Sequence, residues 1–491
     1  MKHKLLHIIQ KPLFLVLLPL FFFLHALLEN YNPVLIKTAA WLTLFYSSIT
    51  IALAGSLYFL FKDWRKAAFL AFMLMAFNLF FGSGYDLLKK NFADSFITKF
   101  SFICIVSFIL LVTLVIYLKR SRRTLLRTTR YLNLLFLLLV LFDAGSLLAR
   151  HFKLKKDHVA DLSPGLLPCD SCARPDIYFI ITDEYAGRTE LEDLFSFDNS
   201  AFENELRSRG YHIISNSVSN YNATVYSLAS LLNMDYIHNL EKPSKVNHRD
   251  MLLCKGLINN NTLTSFLLKK GYSIYNNSFF DLAGRKKVFR NLFFSTNRSL
   301  LTHQTFVNRF LFHFGARFAS DQKIIDIKKN NLYSDIKIDS LARKAVVEKD
   351  PDPKFVYTHL KMPHHPYFFD SAGNEIPVQQ LSDAFSMDRK AYTQYLQYSN
   401  KKLLGFIDFI KQNAGRPAII ILMSDHGFRQ LAPDVDKKYH FMNLNAVYFP
   451  DSSYAGFYNG MSNVNQFRVT LNTLFGQKLP LLKDSTSFLS E

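Results

Sequence analysis

The pattern of apolar and polar positions divides this chain in two. Through residue 150, long apolar runs follow one another: Pro12–Leu28, Val34–Phe61, Ala67–Phe81, Phe96–Leu118 and Tyr131–Leu148. A helix needs about 20 such residues to cross a bilayer, and the third run reaches that only with its more polar end included. The pattern predicts five transmembrane helices. No small-residue cleavage pattern follows the first run and more spans come after it, so it reads as a retained helix rather than a signal peptide. Beyond residue 150 the runs shorten to strand length and alternate with helical periodicity. Strands are expected at 176–182, Tyr211–Ser217, Tyr272–Asn276, Lys354–Leu360, Pro417–Met423 and Ala446–Phe449. Helices are expected at Phe202–Arg209, after Thr224, and at Asn261–Lys270, Ala391–Gln412 and Phe467–Phe475. This alternation predicts an α/β domain with a central mixed sheet flanked by helices. The expected division is a transmembrane domain at 1–150, a linker at 151–175 and an α/β domain at 176–491.

Charge refines this picture. The formal net charge of +19 could indicate nucleic acid, but the first 150 residues carry +12 of it and the rest only +7. The excess belongs to the membrane loops. Lys2, Lys4 and Lys11 precede the first run, Lys62, Arg65 and Lys66 follow the second, and Lys119 to Arg130 follow the fourth. Basic loops stay in the cytoplasm, so five crossings put everything after Arg150 on the far side, and no nucleic-acid partner is required. Asp143, near the outer end of the fifth run, reads as structural or as a solvated helix-end acid. Cys169 and Cys172 form a CxxC in the linker, where a small local disulfide is expected over a metal clip. Residues 285–320 are basic and aromatic, with Arg285, Lys286, Lys287 and Arg290 preceding Phe306, Phe310 and Phe314. A packed core helix is favoured slightly over an interfacial amphipathic one.

The candidate chemistry lies at strand ends and turns. Asp183 and Glu184 end the first strand, and Asp425-His426-Gly427 ends the one at 417–423. Polar groups at the carboxyl ends of buried strands face the crevice where ligands bind. Thr224 stands where an Asn- and Ser-rich loop becomes a helix. There a hydroxyl can cap the helix, ligate a metal or act as a nucleophile, and taken alone capping is favoured. Asp183, Glu184, Thr224, Asp425 and His426 together make an oxygen and nitrogen donor set suited to Zn²⁺ or Mn²⁺. His364, in the loop Pro363-His364-His365-Pro366, and His440 are candidates to bind an oxyanion or protonate a leaving alkoxide. Phosphoryl or sulfuryl transfer through Thr224 is the chemistry such a set supports.

These pieces resemble the sulfatase-like branch of the alkaline phosphatase superfamily. Thr224, Ser227, Leu231 and Leu232 fall at the offsets of the sulfatase motif C-x-P-S-R-x-x-L-L. Pro363-His364-His365-Pro366 is similar to the P-H-x-P loop, and Ser424-Asp425-His426-Gly427 to the S/T-D-H-G loop. Thr224, Tyr226 and Leu228 replace the Cys, Pro and Arg of arylsulfatases. A Thr nucleophile behind five spans resembles instead lipoteichoic acid synthases and lipid A phosphoethanolamine transferases. In those, Glu is the first metal ligand where this chain has Asp183, followed by Glu184. The resemblance implies an alkaline-phosphatase-like fold and a divalent metal. It also implies an enzyme in the bacterial cytoplasmic membrane that moves a head group, phosphoethanolamine or phosphoglycerol, from a phospholipid donor to a lipid or glycan acceptor in the envelope. The alternatives are a phosphodiesterase or atypical sulfatase in the same fold, and a catalytically silent membrane scaffold.

Overall fold

A computed structural model describes residues 10–29, 33–92, 95–154, 166, 172–289, 301–311, 321–377, 380–381 and 388–490. The chain forms two compact units. One comprises residues 1–158 together with 293–320, the other 159–292 and 321–491.

Among the described residues the first unit contains five apolar helices, Phe14–Glu29, Pro33–Phe61, Trp64–Asn91, Phe100–Arg120 and Leu126–Leu154. Four are long and apolar enough to cross a membrane, and Phe14–Glu29 is shorter. The third expected run extends to 28 residues because Asp63 caps its start, accepting the N–H groups of Arg65 and Lys66, which satisfies donors that a helix start leaves free. The basic ends of these helices meet. Lys66 Nζ donates to the carbonyl of Ser121, and Asn133 Nδ2 to that of Lys11 at 2.8 Å. Asp143 is not solvated as an end acid would be. It is 3% exposed and faces His25 Nδ1 at 3.0 Å, as a carboxylate in apolar surroundings requires.

Residues 293–320, beyond the midpoint of the chain, also belong to this unit. The Phe306 ring lies 4.9 Å from Phe81 and 6.1 Å from Phe100, and Phe310 is 6.3 Å from Phe100. The backbone N–H of Gly82 donates to the carbonyl of Gln304 at 2.7 Å. A Cβ at Gly82 would lie 2.7 Å from Gln304 backbone atoms, so only glycine permits this approach. Arg309 pairs with Asp86 at 2.6 Å. The aromatic segment thus packs through Phe306 against the apolar helices while Val307, Phe310 and Leu311 stay exposed, so it is not the packed core helix that the sequence slightly favours. Arg290 and Phe314 lie outside the described residues.

The second unit is built on a six-stranded sheet: β1 (Asp176–Thr182), β2 (His212–Ile213), β3 (Ser273–Asn277), β4 (Lys354–Leu360), β5 (Ala418–Ser424) and β6 (Asn445–Tyr448), in the order β2-β6-β5-β1-β4-β3. Strands β3, β4, β1 and β5 run parallel, β6 pairs antiparallel with β5, and β2 pairs antiparallel with β6 at the edge. Every residue of β1, β4 and β5 is buried, which is why these three read as largely apolar runs without polar alternation. All six expected strands form, although the second shrinks to two residues.

Register decides which side chains share a face where the strands end. Ile181 pairs with His359 on one side and Met423 on the other. Side chains alternate faces along a strand, so the next positions on that face are Asp183, Lys361 and Asp425. The helix Asn463–Phe475 covers this face, with Phe467 4.9 Å from Phe179. Cys172, at the start of this unit, is disulfide-bonded, whereas Cys104 and Cys254 are free. Cys169 and most of the 151–175 linker lie outside the described residues.

Candidate active site

The loops after β1 and β5 are tied together. At Glu184 the backbone turns left-handed, φ 61°, a conformation that costs a non-glycine residue on the order of 1 kcal/mol. The turn brings the Glu184 N–H to Asp425 Oδ1 at 3.1 Å and the Tyr185 N–H to Ser424 Oγ at 2.9 Å. Asp425 Oδ1 also accepts the His426 N–H at 2.9 Å. Its other oxygen, Oδ2, has no hydrogen-bond partner, and neither has Asp183 Oδ1.

His426 completes the cluster. Its Nδ1 lies 2.7 Å from the carbonyl of Gly427, a contact that only an Nδ1–H can make. The lone pair is therefore on Nε2, which lies 3.2 Å from Asp425 Oδ2 and 3.9 Å from Asp183 Oδ1. Three acceptor groups, all buried, thus converge within 4.8 Å of one another. Facing lone pairs in a buried site repel unless a cation lies between them. Burial pushes Asp183 well above the usual carboxylate range, and the charges of Asp425 and Glu184 push it further. Burial also raises Asp425, but His426, His359 and the Thr224 hydroxyl outweigh it and hold that carboxyl low. Burial lowers His426, keeping it a neutral ligand. Two carboxylates and an imidazole oriented through its second nitrogen fit a divalent cation.

Thr224 opens the helix Thr224–Asn233, but Ala223 holds the cap position, with no side-chain cap. The capping expectation therefore gives way: the hydroxyl lies inside the first turn and faces His426 Nε2 at 3.2 Å. Ser227 Oγ, one turn on, donates to the carbonyl of Asp425 at 2.6 Å, so the helix that begins at Thr224 is anchored to the Asp-His loop. Asn443 and Asn463 donate to the carbonyl of Ser424 at 2.8 and 3.4 Å. Gly427 is required sterically, because a Cβ there would lie 2.3 Å from the carbonyl of Tyr439 and 2.8 Å from Glu190 Oε2.

The remaining expected residues surround this cluster. The Glu184 carboxylate is not among the converging atoms. It accepts the Arg429 N–H at 2.9 Å, and burial pushes it up to about 7 against the pull of Arg429. His364 Nε2 lies 3.7 Å from Glu184 Oε2, whereas His365 packs against Tyr367. His364 is therefore the imidazole on the site side of its loop. His440 Nδ1 is buried without a partner; burial, then its neighbours His426 and Arg429, pushes the group down to about 4.

Several site residues escape the sequence reading. His359 is fully buried, with Nδ1 3.0 Å from Tyr357 Oη and Nε2 unpartnered. Its one signal is an ionisable residue inside an otherwise apolar strand. Lys361 shares the face of Asp183, and burial pushes it down to about 8. Glu190 is buried and accepts the Phe428 N–H at 3.2 Å, holding the chain just past Gly427.

A family model described as Sulfatase matches residues 191–467, more than half of the chain, and the chain belongs to the sulfatase family. The match takes in Thr224, His364, Asp425, His426 and His440 but begins after Asp183. No curated protein sequence matches this chain. Among solved structures it is similar to the C-terminal periplasmic domain of EcEptC from Escherichia coli in complex with Zn, at 14% identity and TM-score 0.39, covering 66% of this chain and 92% of that one. The C-terminal periplasmic domain of the phosphoethanolamine transferase EptC from Campylobacter jejuni matches at 12% identity and TM-score 0.34, covering 62% and 91%. A 2-O GAG sulfatase matches at 15% identity and TM-score 0.36, covering 64% and 73%.

Proposed function

We propose that this sulfatase-family chain is a membrane-anchored, metal-dependent transferase. It moves a phospholipid head group, phosphoethanolamine or phosphoglycerol, through a Thr224 ester to a lipid or glycan acceptor of the cell envelope. The observation that carries this reading is the Thr224 hydroxyl 3.2 Å from His426 Nε2, beside two carboxylate oxygens that lack partners.

Asp183, Asp425, His426 and Thr224 would hold a divalent cation, Zn²⁺ or Mn²⁺. When bound, such a cation lowers the pKa of the hydroxyl and offsets charge on the ester. Thr224 Oγ1 loses its proton and attacks phosphorus, the bond from phosphorus to the diacylglycerol oxygen breaks, and that oxygen takes up a proton. In the second half the acceptor hydroxyl gives up its proton and attacks phosphorus, the bond from phosphorus to Thr224 Oγ1 breaks, and Oγ1 takes up a proton to restore the hydroxyl. His364 and His440, kept neutral by burial, are the groups that relay these protons. The helix N-terminus at Thr224 favours the anionic phosphoryl group.

The basic helix ends favour the cytoplasm, which supports a sulfatase-family domain outside the bacterial cytoplasmic membrane, with its donor in the adjacent leaflet. Protease added to intact spheroplasts should then cut the domain, and complete protection would overturn this orientation. Family membership supports a second reading, hydrolysis of a phosphate or sulfate ester, in which water resolves the Thr224 ester. Mass spectrometry of Thr224 peptides after incubation with labelled phospholipid vesicles separates the two. A phosphoethanolamine or phosphoglycerol adduct supports transfer, and a bare or sulfated residue overturns it in favour of hydrolysis.

A further inference from the structure

The segment Ser485–Ser490, which no sequence motif marks, runs alongside the loop that leads into Thr224. Ser487 N–H donates to the carbonyl of Asn220 at 2.9 Å. The Asn222 side chain bonds Leu489 twice, accepting its N–H at 2.8 Å and donating to its carbonyl at 3.1 Å. Asn220 Nδ2 donates to the carbonyl of Ser485 at 2.9 Å, while its Oδ1 accepts the Val464 N–H at 2.7 Å. Further along, Ser490 exchanges backbone bonds with Ser244 and Val246 at 2.9 and 2.7 Å. Asn220, Asn222 and Leu489 are all buried, so these bonds form where water does not compete for them.

The same segment reaches a second site residue. Phe488 lies between two residues bonded to the Thr224 loop, and its ring lies 5.2 Å from that of His440 and 6.5 Å from that of Phe441. Lys437 Nζ sits 4.5 Å over the Phe488 ring, a cation–π contact that fixes its orientation. His440 Nδ1 has no hydrogen-bond partner, so the ring is held by a backbone hydrogen bond to Phe428 and by its contact with Phe488.

We propose that Ser485–Ser490 is a positioning strap that sets the nucleophile loop and the His440 imidazole relative to each other, with Phe488 its positioning residue. The inference rests on the reading of Thr224 and His440 as reacting groups. Its test therefore includes measurements that do not depend on turnover.

The full-length protein in lipid vesicles is compared with Phe488→Ala and Phe488→Tyr. In Phe488→Ala, diethyl pyrocarbonate should modify His440 severalfold faster, and amides at 219–224 should exchange faster while the rest of the sheet stays protected, as in local opening. Turnover of labelled phospholipid should show kcat about tenfold lower with KM within about twofold, since a misplaced group costs rate rather than binding. Phe488→Tyr, which keeps the ring, should restore all of these. If Phe488→Ala is poorly folded, Asn222→Ala gives the same exchange comparison at the other end of the strap. Unchanged His440 reactivity and unchanged exchange at 219–224 would overturn the strap. Absence of phospholipid turnover in the unsubstituted protein would instead count against the transferase reading and leave the strap supported by the other two measurements.

Discussion

Asp183 and Asp425 occupy equivalent positions at the carboxyl ends of neighbouring parallel strands: the register pairs Thr182 with Ser424, one residue before each acid. Each keeps one buried oxygen without a hydrogen-bond partner. Two such acids side by side are costly alone and favourable around a cation. Removing bound metal with a chelator should abolish turnover and lower the melting temperature, and readdition of Zn²⁺ or Mn²⁺ should restore both. Calorimetry with and without chelator checks this. Asp425→Asn should lose metal content by elemental analysis.

Thr224→Ala should reduce turnover by roughly a thousandfold or more and remove covalent labelling, as expected for a nucleophile. Folding and metal content should stay largely intact, because Asp183, Asp425 and His426 remain. Full activity in this variant would show that another group attacks.

Gly427→Ala should cost both metal affinity and activity. A Cβ there meets backbone oxygens of Tyr439 and Met442 at 2.3 and 2.7 Å, which no rotamer change relieves. The Asp425-His426 loop must shift instead. Elemental analysis of the purified variant should show substoichiometric metal.

Lys354, 3% exposed, donates to the carbonyls of Ala345, Val346 and Glu348 at 2.8, 2.8 and 3.1 Å, closing the end of the helix Asp321–Val347. Lys354→Met leaves three carbonyls without that donor and should destabilise the domain by about 2–4 kcal/mol. Thermal unfolding followed by circular dichroism reads this.

Asp335 accepts the backbone N–H groups of Lys361 and Met362 at 2.7 and 3.0 Å, holding the start of the His364 loop. Burial pushes its carboxyl up to about 6, with those bonds and Lys361 pulling the other way. The folded state therefore binds this proton more tightly than the unfolded chain. The resulting stabilisation is full below about pH 4 and is lost as pH rises through about 6. In Asp335→Asn the melting temperature should fall less than in the unsubstituted protein between those two pH values.

The sheet was legible because β1, β4 and β5 are buried on both faces, which leaves largely apolar runs with clusters of polar residues where the strands end. The Thr224 turn and the Asp425-His426-Gly427 loop were legible for the same reason, since chemistry sits at changes of pattern. The capping reading of Thr224 failed because Ala223, a residue without a capping group, occupies the cap. The direction of the Glu184 carboxylate could not be read, because one left-handed residue decides it. His359 was hidden inside a strand, and Phe488 in a stretch with no periodicity, where only tertiary bonds to Asn220 and Asn222 define the path. Asp143 needed His25, 118 positions away, before its burial made sense.

The docking of Phe306 and Phe310 on Phe81 and Phe100 bears on how the protein can be divided for study. An expression fragment beginning near residue 176 would carry those aromatic rings into water, stripped of the helices that cover them. Such a fragment should aggregate or demand detergent unless residues 293–320 are excised or made polar. The polypeptide therefore passes three times from one of its two units to the other.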